Sequence, residues 1–155
     1  MLRPKLHLIT TILAMLALVT GGCVGSFPHP VGVQLEVPCD EFMEQHHISK
    51  EVEVPINGML TVTLCSNPTT GFQWSETAEI TDPSVLDQVD HEFVPPEQKG
   101  VEGASGQEVW SFRAFEKGTS TISVEYRRLW EHGVEPAKTF TLTVVVKWSD
   151  TETSR

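Results

Sequence analysis

From residue 31 onward the chain is a succession of short runs in which apolar and polar residues alternate, or β-branched residues crowd together. Each run is closed by proline, glycine, asparagine or aspartate. The runs are "VGVQLEV" (31–37), "HISKEVEV" (47–54), "MLTVTLC" (59–65), "GFQWSETAEI" (71–80), "SVLDQVDHEFV" (84–94), "QEVWSFRAF" (107–115), "TSTISVEYRRLW" (119–130) and "KTFTLTVVVKW" (138–148). A period of two puts alternate side chains on opposite faces, which suits a strand with one face buried and one wet. "PING" between the second and third runs is the signal of a hairpin turn, and "EKG" joins the sixth to the seventh. No stretch carries a helical period long enough to compete. Seven or eight strands separated by turns predict one all-β domain, an antiparallel β-sandwich over residues 31–148, with a disordered tail at 149–155.

The first 22 residues do not belong to that domain. "MLRPKLHLITTILAMLALVTGGC" sets Arg3 and Lys5 before an apolar stretch and small residues before Cys23, the pattern of a secretory signal peptide. Gly21-Gly22-Cys23 resembles a bacterial-type lipobox, in which the cysteine is lipidated and becomes the first residue; Thr20 departs from the aliphatic residue usual there. The alternatives are an ordinary cleaved signal and an uncleaved membrane anchor, and each still puts the folded part outside the cytoplasm. Residues 23–30 then read as a lipidated tether. The expected location is exported and anchored to the cell membrane through Cys23, or secreted.

All 21 acidic residues lie beyond Cys23, with nine of the 11 basic ones, a net of 9 − 21 = −12. Phosphate binding needs clustered lysine and arginine, so nucleic acid is not an expected partner. Cys39 and Cys65 remain after Cys23 is set aside. In an exported domain they are a candidate disulfide, with a buried pair of free thiols as the alternative.

Little here suits catalysis. Cys65 ends a strand without the surroundings of a nucleophile. His46 and His47 are adjacent on a strand and point to opposite faces, so they do not readily share a metal with His91 or His132. Exposed histidines, no metal and no cofactor are the expectation. Glu51 and Glu53 read as the wet face of their strand, and Trp74 and Trp110 as core.

Three loops carry the remaining chemistry: "SNPTTG" (66–71), "PPEQKGVEGASG" (95–106) and "RRLWEHGVEP" (127–136). A sandwich that gathers loops at one pole makes a composite binding surface. In order and spacing, "NPTTGFQW", "GASGQEVWSFRA" and "YRRLWE" resemble the chagasin-type inhibitors of papain-like cysteine proteases. That family carries an N-P-T-T-G-[YF]-x-W motif, a G-x-G-G-like motif and an R-P-W motif on three loops of an immunoglobulin-like sandwich. The resemblance covers about residues 31–147. It implies a reversible proteinaceous inhibitor, not an enzyme, acting as a monomer. Its protease contacts would be Asn67, Pro68, Thr69, Thr70, Gly71 and Phe72 from the first loop, Gly103, Ala104, Ser105 and Gly106 from the second, and Arg128, Leu129 and Trp130 from the third. Ser105 stands where the family has glycine and Leu129 where it has proline. The competing reading is an envelope-anchored immunoglobulin-like module for another protein or ligand.

Overall fold

A computed structural model describes residues 31–96, 104–128, 130–131 and 133–149. The signal peptide, the 23–30 tether with Cys23, Gly103, Leu129, His132 and the tail from Asp150 lie outside the described residues.

The strands are β1 (Gly32–Val37), β2 (His47–Pro55), β3 (Met59–Ser66), β4 (Gln73–Trp74), β5 (Glu79–Ile80), β6 (Leu86–Val94), β7 (Gly106–Ala114), β8 (Gly118–Arg127) and β9 (Lys138–Lys147), with one short helix, α1 (Cys39–Glu44). They form two sheets, one ordered β1-β3-β7-β6 and the other β2-β9-β8-β4, with β5 also paired to β8. The expected sandwich is present and immunoglobulin-like. Its ninth strand arises because the 71–80 run breaks into β4 and β5, separated by four residues that leave the ladder.

Alternation built the core as anticipated. In β9, Phe140, Leu142, Val144 and Val146 point inward; in β8, Ile122, Val124 and Tyr126 do; and in the other sheet Trp110, Phe112 and Ala114 of β7 are buried on the same face as Leu60, Val62 and Leu64 of β3, with Phe112 beside Leu60 and Trp110 beside Val62. Trp74 and Trp110 are both fully buried. Truncating either to alanine would cost about 3–5 kcal/mol, because a cavity of that size does not collapse.

Two expectations are corrected. The "PING" segment does make a tight turn, closed by Gly58 N–H donating to Pro55 O at 2.8 Å with Asn57 at φ 60°. It joins β2 to β3 across the two sheets, however, so the strands form a corner and not a hairpin. The sheets are also mixed, since β1 pairs with β3 and β2 with β9 in parallel. The cause is the path of the chain. It changes sheet through α1 at one pole and again through the turn at the other, so β3 returns beside β1 in the same direction. A period-two pattern reports which face is buried and is silent on the direction of the partner.

The helix α1 was not anticipated. Six residues are too few to display a period or to be stable alone. Tertiary contacts hold it: Phe42 is buried, its ring centroid 5.2 Å from that of Tyr126 and 5.8 Å from that of Trp74. Cys39, its first residue, is bonded to Cys65 at the end of β3, with Cα atoms 5.1 Å apart. The cysteine pair is therefore a bridge.

Candidate functional site

Strand register brings the three loops to one pole. Ser66 at the end of β3 pairs with Gly106 at the start of β7, and Gln73 at the start of β4 pairs with Arg127 at the end of β8. The first loop thus crosses from one sheet to the other, through the centre of the pole. The second arrives on one side of it and the third departs on the other.

The first loop is rigid for local reasons. Pro68–Thr70 form a single 3-10 turn, with Thr70 N–H donating to Asn67 O at 3.2 Å and Gly71 N–H to Pro68 O at 2.9 Å. Proline fixes φ where the turn begins. Gly71 ends the turn at φ 79°, a left-handed conformation natural to glycine. The threonine hydroxyls face back into the turn: Thr69 Oγ1 donates to Asn67 Oδ1 at 2.5 Å and Thr70 Oγ1 to Asn67 O at 2.7 Å. Pro68, Thr69 and Thr70 are nevertheless exposed, so the tip is polar, narrow and already ordered.

The third loop buttresses the first. Arg128 lies over the Phe72 ring, 4.4 Å from guanidinium carbon to centroid, and Nη1 donates to Glu131 Oε1 at 3.0 Å. Phe72 stacks in turn on Tyr126, with centroids 5.7 Å apart and planes at 22°, and the Tyr126 hydroxyl accepts from Asn67 N–H at 3.2 Å. A cation on an aromatic face contributes about 0.5–1 kcal/mol where it is partly wet. Trp130 is 64% exposed, yet its indole edge lies beside Gly71.

In the second loop Ser105 is exposed and Ala104 half-buried. Gly106 is different. It is buried within β7, and a side chain there would meet Phe93 Cζ and the Val94 carbonyl oxygen, each at 2.6 Å. Its role in this structure is close packing beneath the loop.

Sequence reading missed the support under the first loop. Glu108 is a carboxylate only 3% exposed. Its Oε1 accepts from Ser66 Oγ at 2.6 Å and from Trp74 N–H at 3.2 Å, while Oε2 lies 3.1 Å from His91 Nε2. His91 is half-buried, contrary to the expectation of an exposed histidine, and its ring lies against Trp110 with centroids 4.9 Å apart. The sequence did hold a signal. Glu108 shares the inward parity of Trp110 and Phe112, where a charge is out of place. His46 and His47 are exposed as expected, with Nδ1 of His47 bonded to the Thr139 hydroxyl. Among the described residues no histidine, cysteine or acidic cluster could hold a metal.

The described part of the pole is an exposed, hydrogen-bonded tip from the first loop, supported by Arg128 and Trp130 of the third. Known proteins agree in kind. The pattern of the family described as chagasin family peptidase inhibitor matches residues 53–144, and the chain belongs to that family. Amoebiasin-2 of Entamoeba histolytica is 30% identical over 96 residues, which are 62% of this chain and 76% of that protein. Chagasin of Trypanosoma cruzi is 29% identical over 99 residues, 62% of this chain and 88% of the relative. The crystal structure of a cysteine protease inhibitor from Entamoeba histolytica shares the fold, with a TM-score of 0.59 at 24% identity, covering 78% of this chain and 100% of that one. The protein is thus a peptidase inhibitor by family and not an enzyme.

Proposed function

We propose that the protein is a reversible inhibitor of papain-like cysteine proteases that fills the active-site cleft with the three loops of one pole. The observation that carries this reading is the first loop. Its exposed Pro68–Thr70 tip stands on the line where the two sheets meet, already folded by its own hydrogen bonds. A papain-like cleft is long and narrow, with its cysteine at the floor. A wedge fit for it must be thin and lose little entropy on binding, and a pre-formed tip meets both demands. Asn67, Thr69, Thr70, Gly71 and Phe72 enter the cleft in this reading, Trp130 and Arg128 contact one wall, and Ala104 and Ser105 contact the other. Leu129 and Gly103 complete the outer loops by sequence position.

The same reading takes the chain as an exported monomer held to the membrane through lipidated Cys23. The signal-like N-terminus and the Gly21-Gly22-Cys23 sequence support it.

The test is a titration of papain, a cathepsin-type enzyme, trypsin and a metalloprotease with the purified protein. The two papain-like enzymes are expected to be inhibited at stoichiometric ratio, competitively and reversibly. Trypsin and the metalloprotease, whose clefts differ in shape, are expected to stay fully active. Equal inhibition of trypsin overturns the wedge.

A further inference from the structure

We propose that Glu108 is a positioning residue that sets the width of the inhibitory loop by holding both of its ends on one carboxylate. The inference deepens the function proposed above and rests on it for its inhibition readout.

The two donors to Oε1 flank the loop on either side. Ser66 is the last residue of β3, where the chain enters the loop, and Trp74 is the second residue of β4, just past its exit. Ser66 belongs to one sheet and Trp74 to the other, so Glu108 ties the sheets together directly beneath the crossing. The remaining oxygen faces His91 Nε2, on the neighbouring strand β6. The carboxylate therefore has a partner on three separate strands. A second bond closes the same frame, since Trp74 Nε1–H donates to Cys65 O at 2.9 Å.

Stability does not account for this arrangement. A buried carboxylate costs several kcal/mol of desolvation, and a well-packed apolar side chain is commonly as good or better for folding. What an apolar side chain lacks is direction. It fills the space between Ser66 and Trp74 without fixing their separation, whereas hydrogen bonds of 2.6 and 3.2 Å to one oxygen do fix it. The loop ends hold their spacing because one atom accepts from both.

Four proteins decide the matter: wild type, Glu108→Leu, Glu108→Gln and Val146→Ala. Val146 is a buried residue of β9 at the opposite pole and serves as a control for general destabilisation. Each is measured for its inhibition constant against papain, well below its melting temperature, and for amide hydrogen exchange at Thr70, Gly71 and Trp74. Glu108→Leu is expected to raise the inhibition constant about tenfold or more and to speed exchange at these amides relative to β9, because a buried donor loses its acceptor. Glu108→Gln is expected to restore both, since its amide oxygen still accepts from Ser66 and Trp74. Val146→Ala is expected to lower the melting temperature and leave both readouts in place. Should Glu108→Leu not fold, Ser66→Ala takes its place, with a smaller change in the same direction. Wild-type inhibition by the leucine variant overturns the proposal, as does a glutamine variant no better than leucine. If wild type inhibits no papain-like protease, the proposed function fails instead, and the exchange rates alone decide the role of Glu108.

Discussion

The indole of Trp130 lies so close to Gly71 that a methyl group on Gly71 would stand 2.4 Å from its Cη2. The last motif of the pole thus rests on the last residue of the first loop's turn, and the indole leaves no room for a side chain at position 71. Gly71→Ala is expected to weaken inhibition about tenfold, from a left-handed φ that costs an alanine about 1–2 kcal/mol and from displacement of the indole. A double-mutant cycle with Trp130→Ala tests the contact. The two changes should be non-additive, because removing the ring makes room for the methyl group.

Trp130→Ala by itself removes a large, mostly exposed aromatic surface that the free protein does not need for its core. The expected loss is about 2–4 kcal/mol of binding, expressed chiefly as faster dissociation. Stopped-flow association and displacement kinetics on papain would separate the two rates, while the melting temperature should move little.

Thr69→Arg combined with Thr70→Arg widens a tip whose use depends on being narrow. Both side chains are exposed, so the fold should survive. Inhibition should vanish at any attainable concentration. A double-arginine protein that melts normally and still inhibits would reduce this loop to a turn.

The Cys39–Cys65 bridge closes a segment with a sequence separation of 26. Replacing both cysteines by alanine is expected to destabilise the domain by about 2–4 kcal/mol, through the freedom returned to the unfolded chain. Calorimetry of the variant and of the reduced wild type should give matching shifts. Because Cys65 lies two residues before Asn67, a weaker inhibition constant should accompany the loss.

Cys23→Ala tests the anchor. The wild-type protein is expected to fractionate with membranes and the variant to appear in the soluble fraction. Mass analysis of the N-terminus would show the acyl groups directly. A soluble wild type cut at another position would remove the lipid from the proposal.

The tip of the first loop was legible because its chemistry is local. Asparagine, proline and glycine within five residues specify a turn whatever surrounds them. The long alternating runs were legible for the same reason: β3, β7 and β9 fall within about a residue of their expected limits, while β8 stops at Arg127, three residues before the end of its run. What escaped depends on distant partners. Glu108 meets Ser66 across 42 positions and Trp74 across 34, and no window on the sequence joins them. The direction of β1 and β2, and the six-residue helix pinned by Phe42, are likewise set by packing and not by propensity.

The parallel pairing of β1 with β3 also places the start of the domain. Gly32 lies beside Met59, and Val146 of the last strand beside Gly118, so both termini of the domain leave from the pole opposite the three loops. If Cys23 carries the proposed lipid, the domain is attached through the pole that holds Gly32. In that proposal the attachment does not compete with the inhibitory loops for the same end of the sandwich. One end of the sandwich is thus left for tethering and the other for the target, so a tether of any kind at the domain's start would leave the wedge uncovered.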